Sequence, residues 1–331
     1  MSLVAFLRAL ARDNHLRRER RRNLALDAAR YLGNRLLEPL DAVLARRYAS
    51  REYPILFVVG APRSGTTLLF QLAVRHLPLA YVDNAAARFW MAPVLGLVRP
   101  FRPRAGTQRG AVSLRSVLGS SEGPHGPHEF SYFWHHWMGF HESDELSPDA
   151  LRRVDWRGID RKLAALAGVF RAPLIMKSIN FVDYHVSWIA AQEPRYRFVW
   201  IDRDPLFAVQ SILESRRLRY GDERVWWSVR PADVEKWRDA TPVEQVCHQV
   251  AHVRRALRSA FEGLPESRRL VLTYPDLVQA PGETLSRLAR LAGVEAPPPG
   301  DIAPLQLQSR DRWRRSEEDR ERVLSLLETA A

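Results

Sequence analysis

A short turn bounded by two glycines carries the residue types best suited to chemistry in this chain. The turn runs from Gly60 to Gly65, after the apolar run Ile55–Val59 and before a helical pattern that begins at Thr66. Two glycines separated by four residues have the spacing of a phosphate-binding loop. Backbone N–H groups in such a turn, together with the N-terminus of the next helix, attract negative charge. The turn therefore predicts a binding site for a phosphate-bearing molecule.

The basic residue of this turn stands in an unusual place. A nucleotide-hydrolysing loop carries its lysine directly after the second glycine, where this chain has Thr66. The basic group lies instead inside the turn, at Arg63. The pattern therefore predicts a loop that holds a phosphate-bearing donor without working as an ordinary ATPase.

A second basic position follows the apolar segment 197–202. Arg203 comes directly after this predicted strand, and Asp204 with the proline behind it suits the start of a helix. Ser211 then lies two turns into that helix. Arg203 should project at the carboxyl edge of the sheet, where ligands of such folds bind. The alternative is a surface salt bridge between Arg203 and a neighbouring aspartate, Asp202 or Asp204.

These two segments carry a resemblance to a known family. Residues 62–67 have the sequence P-R-S-G-T-T, between a predicted strand and a predicted helix, and Arg203 is followed eight positions later by Ser211. Both patterns resemble those of the sulfotransferases that use 3′-phosphoadenosine 5′-phosphosulfate (PAPS). The resemblance is to the bacterial type and implies a P-loop NTPase-like sulfotransferase fold.

A third segment adds to this resemblance. Residues 270–277 are similar to the tyrosine-acidic-Asp-Leu segment that follows the last core strand of the family, with Pro275 in place of the usual glutamate. The three motifs occur in the expected order and extend the resemblance over residues 53–295. Together they are more specific than any one of them.

The resemblance implies a set of donor-binding residues. The 5′-phosphosulfate would be held by the loop residues Arg63, Ser64, Gly65, Thr66 and Thr67. The 3′-phosphate, a group that ATP lacks, would be bound by Arg203 and Ser211. Tyr274 would lie near the nucleotide, and Arg216 is a weaker candidate for the 3′-phosphate.

Lys177 is a candidate catalytic residue because lysine is rare in this chain. The sequence has 50 lysines and arginines in all, and its only lysines are Lys162, Lys177 and Lys236. Lys177 ends the predicted strand 173–177 and should reach the same sheet edge as Arg63. The resemblance implies that Lys177 stabilises the bridging oxygen during in-line sulfuryl transfer, with Arg63 assisting and no metal required. The alternative is a strand-end lysine whose ammonium group extends to solvent.

The general base is less well defined by the sequence. Small-molecule sulfotransferases have a histidine two residues after the lysine, where this chain has Ile179. Tyrosylprotein-like members use a glutamate about twenty residues after the loop, a position matched only partly by Asp83.

Residues 122–130 offer other candidate bases and resemble a segment of many bacterial sulfotransferases. His125, His128 and Glu129 could each accept a proton from an acceptor hydroxyl. We favour Glu129 or His128 over Asp83. The alternative is that the acidic group caps a helix that begins near residue 130.

Histidines also raise the question of a metal site. Five of the ten histidines fall between residues 125 and 141, without a cysteine among them. His248 and His252 have i, i+4 spacing on a predicted helix, but the glutamate of the H-E-x-x-H motif is missing. We therefore predict no metal site and assign these histidines to packing or to the acceptor pocket.

Strand and helix patterns alternate along most of the chain, which predicts a parallel sheet covered by helices on both faces. The predicted strands are 55–60, 80–83, 173–177, 197–202 and 269–274. The predicted helices between them are 66–77, 159–170, 183–192, 205–217, 241–262 and 283–293. The expected fold is thus a three-layer α/β sandwich. Residues 84–150 show no clear strand and interrupt the alternation.

We divide the chain into a basic helical extension, residues 1–52, and a sulfotransferase domain, residues 53–331. Residues 84–150 would be an insertion that forms much of the acceptor pocket. Helical periodicity in the extension includes Ala29, Leu32, Leu36, Leu40 and Val43, and Pro39 suits a helix start.

The charge of the chain is concentrated at its N-terminus. The formal net charge is +12, and residues 1–52 hold twelve arginines against six acidic residues. The basic cluster at 17–22 has no interleaved aromatic residues, so nucleic-acid binding is not expected. Leu3, Phe6, Leu7 and Leu10 have helical spacing. We favour a helix docked on the main domain over one that contacts a membrane through residues 1–22.

The single cysteine, Cys247, allows no internal disulfide and predicts a reducing compartment, the cytoplasm. The acceptor would be a small molecule, a lipid or a carbohydrate, and the oligomeric state stays open. Two alternatives remain: a P-loop kinase or NTPase, and a membrane-surface protein with an inactive nucleotide fold.

Overall fold

The computed structural model describes residues 3–16, 23–98, 112–139, 143–302 and 307–330. Its strands are β1 (Ile55–Val59), β2 (Ser116–Val117), β3 (Ser120–Ser121), β4 (Leu174–Lys177), β5 (Tyr196–Asp202) and β6 (Arg269–Thr273). A parallel sheet has the strand order β4-β1-β5-β6, and β2 pairs with β3 in a separate antiparallel hairpin.

Helices surround this sheet and connect its strands. They are α1 (Leu3–Leu16), α2 (Leu24–Tyr48), α3 (Thr66–His76), α4 (Pro93–Val98), α5 (Ser131–Met138), α6 (Pro148–Arg152), α7 (Trp156–Phe170), α8 (Ile179–Ala190), α9 (Pro205–Tyr220), α10 (Pro242–Glu262), α11 (Tyr274–Gln279), α12 (Pro281–Ala292), α13 (Pro299–Ile302) and α14 (Glu317–Ala330). The helices predicted after residue 65 match α3, α7, α8, α9, α10 and α12.

The sheet separates two hydrophobic layers. Alternate residues of a strand face opposite sides of a sheet, and β1 follows this rule. Leu56 and Val58 face the cluster that includes α3 and α12, whereas Ile55 and Phe57 face the larger cluster with α7 to α10. Because both faces are covered, all five residues of β1 are buried. The predicted three-layer α/β sandwich is confirmed.

The strand predicted at 80–83 is reduced to two isolated bridges, one at each end. Ala80 pairs with Leu174 beside β4, and its carbonyl accepts a hydrogen bond from Ile175 N. Asp83 pairs instead with Pro127, and its side chain accepts from Ala85 N at 3.1 Å and from Ala86 N at 2.8 Å, at the start of the short 3₁₀ helix Ala86–Arg88. The strand prediction was wrong beyond Ala80.

The helix α2 differs from expectation in its start and in the face it buries. Pro39 lies inside α2, so it does not begin a helix. The leucines that have helical spacing are exposed, among them Leu36 at 81%. Polar anchors orient the helix instead: Asn34 accepts from Met91 N at 3.0 Å, and Asp41 accepts from Leu95 N at 2.7 Å. Buried Asp41 also pairs with Lys162.

The first helix is docked on the main body, as favoured from the sequence. Phe6 and Leu10 of α1 are buried. The Phe6 ring lies 5.2 Å from the ring of Tyr31, 5.7 Å from that of Trp90 and 5.6 Å from that of Tyr132, centroid to centroid. This face of α1 therefore contacts protein. The basic cluster at 17–22 lies outside the described residues.

Among the described residues, no helix combines the length and apolar character that crossing a membrane requires.

The segment 84–150 is described except for 99–111 and 140–142. It contains α4 and α5. It also contains the β2–β3 hairpin, which the sequence did not indicate. The turn of this hairpin places Gly119 beside the loop after β1.

Candidate functional site

The loop between β1 and α3 depends on its two glycines. Gly60 has φ of 152°, and a Cβ there would lie 2.6 Å from the carbonyl oxygen of Ile201. Gly65 has φ of 104°, and a Cβ there would lie 2.8 Å from Cδ2 of Tyr274. Either contact is closer than a side chain tolerates, so the loop follows a path that only glycine allows.

The loop contains a buried hydroxyl group, and a carboxyl group from α8 forms a hydrogen bond to the loop backbone. Ser64 is 1% exposed, and its hydroxyl has no hydrogen-bond partner among the described residues. A hydroxyl group without a partner can donate one hydrogen bond to an anion in the turn. Asp183 on α8 accepts a hydrogen bond from Gly60 N at 3.2 Å. Burial raises the pKa of Asp183 well above its usual range, so the neutral acid is favoured.

Three basic residues gather beside the loop. Arg63 has φ of 70°, and its Nε donates to the hydroxyl of Ser211 at 2.9 Å. Arg203 donates to the Arg63 carbonyl at 2.7 Å. Burial, followed by the positive charges of Arg203 and Arg310, lowers the pKa of Arg63. Arginine still stays protonated, so this cluster attracts anions.

Arg203 has a partner that the sequence did not suggest. Its Nε and Nη2 donate to one carboxylate oxygen of Asp311, at 2.7 and 2.6 Å. Its guanidinium also lies 4.5 Å from the centre of the Tyr274 ring. Asp202 instead pairs with Arg254, and Asp204 caps α9. The salt bridges considered for Arg203 were therefore assigned to the wrong aspartates.

The loop after residue 306 completes this side of the site and was missed from the sequence. Arg310 N donates to the Tyr274 hydroxyl at 3.3 Å. Gln210 on α9 anchors the loop: its amide donates to the Arg312 carbonyl and accepts from Arg314 N. Four arginines between residues 310 and 315 were the available signal.

Arg216 is a correction to the predicted donor site. Its side chain is fully buried, and its Nη1 donates to Gln245 Oε1 at 2.8 Å and to the Glu223 carbonyl at 3.1 Å. Burial lowers the pKa of Arg216 to about 10. A guanidinium enclosed between α9 and α10 is out of reach of a bound phosphate.

Lys177 and Glu129 contact each other next to the loop. Lys177 Nζ donates to Glu129 Oε1, to Thr67 Oγ1 at 2.6 Å and to the Gly119 carbonyl at 3.4 Å. The Lys177 side chain is 3% exposed and that of Glu129 is 28% exposed. A buried ammonium requires such acceptors. Lys177 therefore does not extend to solvent, as the alternative interpretation required.

The structure separates the candidate bases. Glu129 does not cap α5, whose N-cap is Phe130 without a side-chain cap. His128 accepts a hydrogen bond from Phe130 N through Nδ1 at 2.8 Å, and burial lowers the pKa of His128. A neutral imidazole that accepts at Nδ1 carries its proton on Nε2. His128 therefore has no free lone pair with which to accept another proton.

The side chains of Asp83 and His125 are both engaged in local contacts. One carboxylate oxygen of Asp83 accepts hydrogen bonds at the start of the 3₁₀ helix described above, and the other lies 3.4 Å from His125 Nδ1. Both roles compete with proton transfer. Of the four candidates, Glu129 contacts Lys177 and also borders a cavity.

The cavity is partly open to solvent and lies between α5, the start of α8 and the loop 143–146. Its apolar lining is formed by Trp134, Met138, Leu146, Ile179 and Phe181. Its polar lining includes Glu129, His135, Asp144 and Asn180. Burial raises the pKa of Asp144 to about 7. An apolar cavity with a few polar groups is typical of a small-molecule site.

Comparison with known proteins agrees with this arrangement. The model of the sulfotransferase family matches residues 54–298. The chain belongs to the sulfotransferase family. No curated protein sequence matches it significantly.

Two solved sulfotransferases have the same fold. Sulfotransferase STF9 from Mycobacterium avium is 17% identical, with a TM-score of 0.58 over 92% of this chain and 84% of that one. Sulfotransferase STF1 from Mycobacterium tuberculosis H37Rv is 16% identical, with a TM-score of 0.55 over 91% of this chain and 86% of that one. Identities this low establish the fold alone. Family membership, by contrast, favours sulfuryl transfer over the kinase alternative.

Proposed function

We propose that this sulfotransferase transfers the sulfuryl group of PAPS to a hydroxyl, or an amine, of a small acceptor. The observation that carries the proposal is the contact of Lys177 with both Thr67 of the loop and Glu129 at the cavity. A donor on the loop and an acceptor in the cavity would meet at this contact. In this proposal residues 53–331 form the catalytic domain, and the segment 84–150 forms much of the acceptor pocket.

Donor binding rests on the shape and charge of the loop. Arg63, the Ser64 hydroxyl and the backbone N–H groups of Gly65, Thr66 and Thr67 would hold the 5′-phosphosulfate. Arg203 and Ser211 would bind the 3′-phosphate, with Tyr274 beside the nucleotide. Arg310 joins this set because its backbone contacts Tyr274 and its charge acts on Arg63. These residues fit an anion with two separate charged groups.

The reaction would proceed by in-line attack. The acceptor oxygen forms a bond to sulfur while the bond between sulfur and the bridging phosphate oxygen breaks, and 3′,5′-ADP leaves. Glu129 would take the proton of the acceptor hydroxyl. Lys177, with Arg63, would neutralise the charge that develops on the bridging oxygen. The Lys177–Glu129 pair orients both groups before the substrates bind.

The cavity favours one class of acceptor. Five apolar side chains line it, which suits an aromatic or lipid-like molecule better than an acidic sugar. The two carboxyl groups of its lining, Glu129 and Asp144, also disfavour an acidic acceptor. We therefore propose a small, largely apolar acceptor with a hydroxyl group at the end that meets Glu129.

Calorimetric titration with 3′,5′-ADP, 5′-AMP and ATP, each with and without Mg²⁺, tests the donor site. We expect 3′,5′-ADP to bind more tightly than the other two nucleotides, whether or not Mg²⁺ is present. Tighter binding of ATP in the presence of Mg²⁺ would contradict the proposal. Incubation with radiolabelled PAPS and a panel of phenols and lipid alcohols then tests transfer.

A further prediction concerns Asp311. The Asp311 carboxylate pairs with the Arg203 guanidinium, which would bind the 3′-phosphate, and so competes with the ligand. Asp311→Asn is therefore expected to tighten 3′,5′-ADP binding by about 2- to 10-fold. Calorimetry at low ionic strength measures the change. Asp319→Asn, which breaks another aspartate–arginine pair of the C-terminal segment, is the control. Weaker binding in Asp311→Asn would mean that Asp311 orients Arg203 for the ligand.

A further inference from the structure

Two histidine side chains and two carboxylate side chains form a cluster that has no role in the proposed reaction. His248 and His252 lie one turn apart on α10, with ring centres 5.4 Å apart. Asp233 Oδ1 is 2.9 Å from His248 Nε2, and Glu145 Oε2 is 2.9 Å from His252 Nε2. One ligand atom from each of Asp233, His248 and His252 can be chosen so that all three lie within 4.8 Å of one another.

The cluster is held in place by its surroundings. The Trp237 ring stacks on His248 at 4.1 Å, and its Nε1 contacts Asp233 Oδ2 at 3.4 Å. Glu145 accepts a hydrogen bond from the backbone N of Ala232 at 2.8 Å. Metal ligands in proteins are commonly oriented by such partners. The four side chains are 14–31% exposed, so an ion can reach them from solvent.

Although the sequence led us to expect no metal site, we infer that Asp233, His248 and His252 bind a Zn²⁺ ion, with Glu145 as the fourth ligand or as the partner of a bound water. Imidazole nitrogen and carboxylate oxygen are ordinary zinc ligands, at about 2.0–2.1 Å from the metal. Two ligands of a tetrahedral ion are then roughly 3.3 Å apart. The His248–Asp233 and His252–Glu145 atom pairs already lie close to that separation. The ion replaces the proton that each pair otherwise shares.

The position of this site indicates a structural role. Glu145 belongs to the loop 143–146, which supplies Ser143, Asp144 and Leu146 to the cavity wall. Zinc would tie this loop to α10 and to the segment around Asp233. The Lys177–Glu129 contact is separate from the four ligands. Bound zinc is therefore expected to stabilise the wall of the cavity and to take no part in the transfer.

The test uses the full-length chain without a histidine tag. Metal analysis of protein purified without chelator is expected to find about one zinc per chain. Removing the metal with a chelator and restoring it with equimolar Zn²⁺ should raise Tm by about 5 °C. Equal concentrations of Mg²⁺ should have no such effect, because Mg²⁺ prefers oxygen ligands. Co²⁺ should give the visible absorption of a tetrahedral complex.

Variants locate the site. His252→Gln and Asp233→Asn are each expected to weaken Zn²⁺ binding by at least about 100-fold, more than the loss of an outer partner usually costs. His76→Gln, a histidine elsewhere in the fold, is the matched control and should bind normally. Absence of zinc in the wild-type protein together with no response to added Zn²⁺ would overturn the inference. So would an equal response to Mg²⁺, or unchanged Zn²⁺ binding in folded Asp233→Asn.

Discussion

Glu129→Gln is expected to lower kcat by about 10²- to 10⁴-fold, the contribution typical of a general base. The amide keeps the size of the side chain and can still accept a hydrogen bond from Lys177, but it cannot take the proton of the acceptor hydroxyl. Binding of 3′,5′-ADP should change little, since the proposed nucleotide contacts lie on the other side of Lys177. Single-turnover assays with radiolabelled PAPS measure the rate of the chemical step.

Glu122→Gln is the matched control because Glu122 is exposed and belongs to the same segment. It should transfer at the wild-type rate. The neutral, hydrogen-bonded state of His128 leads us to expect a much smaller loss in His128→Gln. If Glu129→Gln retains full activity while His128→Gln does not, the base is His128 and the contact of Glu129 with Lys177 only positions the lysine.

Arg203→Ala is expected to weaken 3′,5′-ADP binding by about 10- to 100-fold, because hydrogen bonds to a charged group contribute about 1.5–3 kcal/mol. The affinity for 5′-AMP, which lacks the 3′-phosphate, should change much less. Calorimetry with both nucleotides separates the two effects. Arg217→Ala, an exposed arginine on the same helix as Ser211, controls for the loss of positive charge.

The comparison of the two nucleotides matters because Arg203 also donates to the Arg63 carbonyl. If the variant loses 3′,5′-ADP and 5′-AMP affinity equally, then Arg203 supports the shape of the loop. In that case the 3′-phosphate contact must come from another group, and Arg310 is the next candidate because its charge acts on Arg63.

Much of the fold could be predicted because local sequence patterns specify it. The four strands of the parallel sheet were evident as apolar runs, and six of the helices after residue 65 were found within a few residues of their observed ends. The turn from Gly60 to Gly65 was equally clear, since its backbone path requires glycine at both positions. The apolar periodicity did not predict which face of α2 is buried. The buried polar side chains of Asn34 and Asp41 orient this helix, and its periodic leucines are exposed.

The sequence by itself determined the order of strands and helices, the anion-binding loop, and the family to which these motifs point. Only the tertiary structure decided which side chains meet. Asp311 pairs with Arg203 across 108 residues, and Asp183 reaches Gly60 across 123. The physical reason is that backbone propensity acts between neighbours in the chain. Contacts between charged side chains depend instead on packing, which joins segments of any separation and cannot be inferred from spacing.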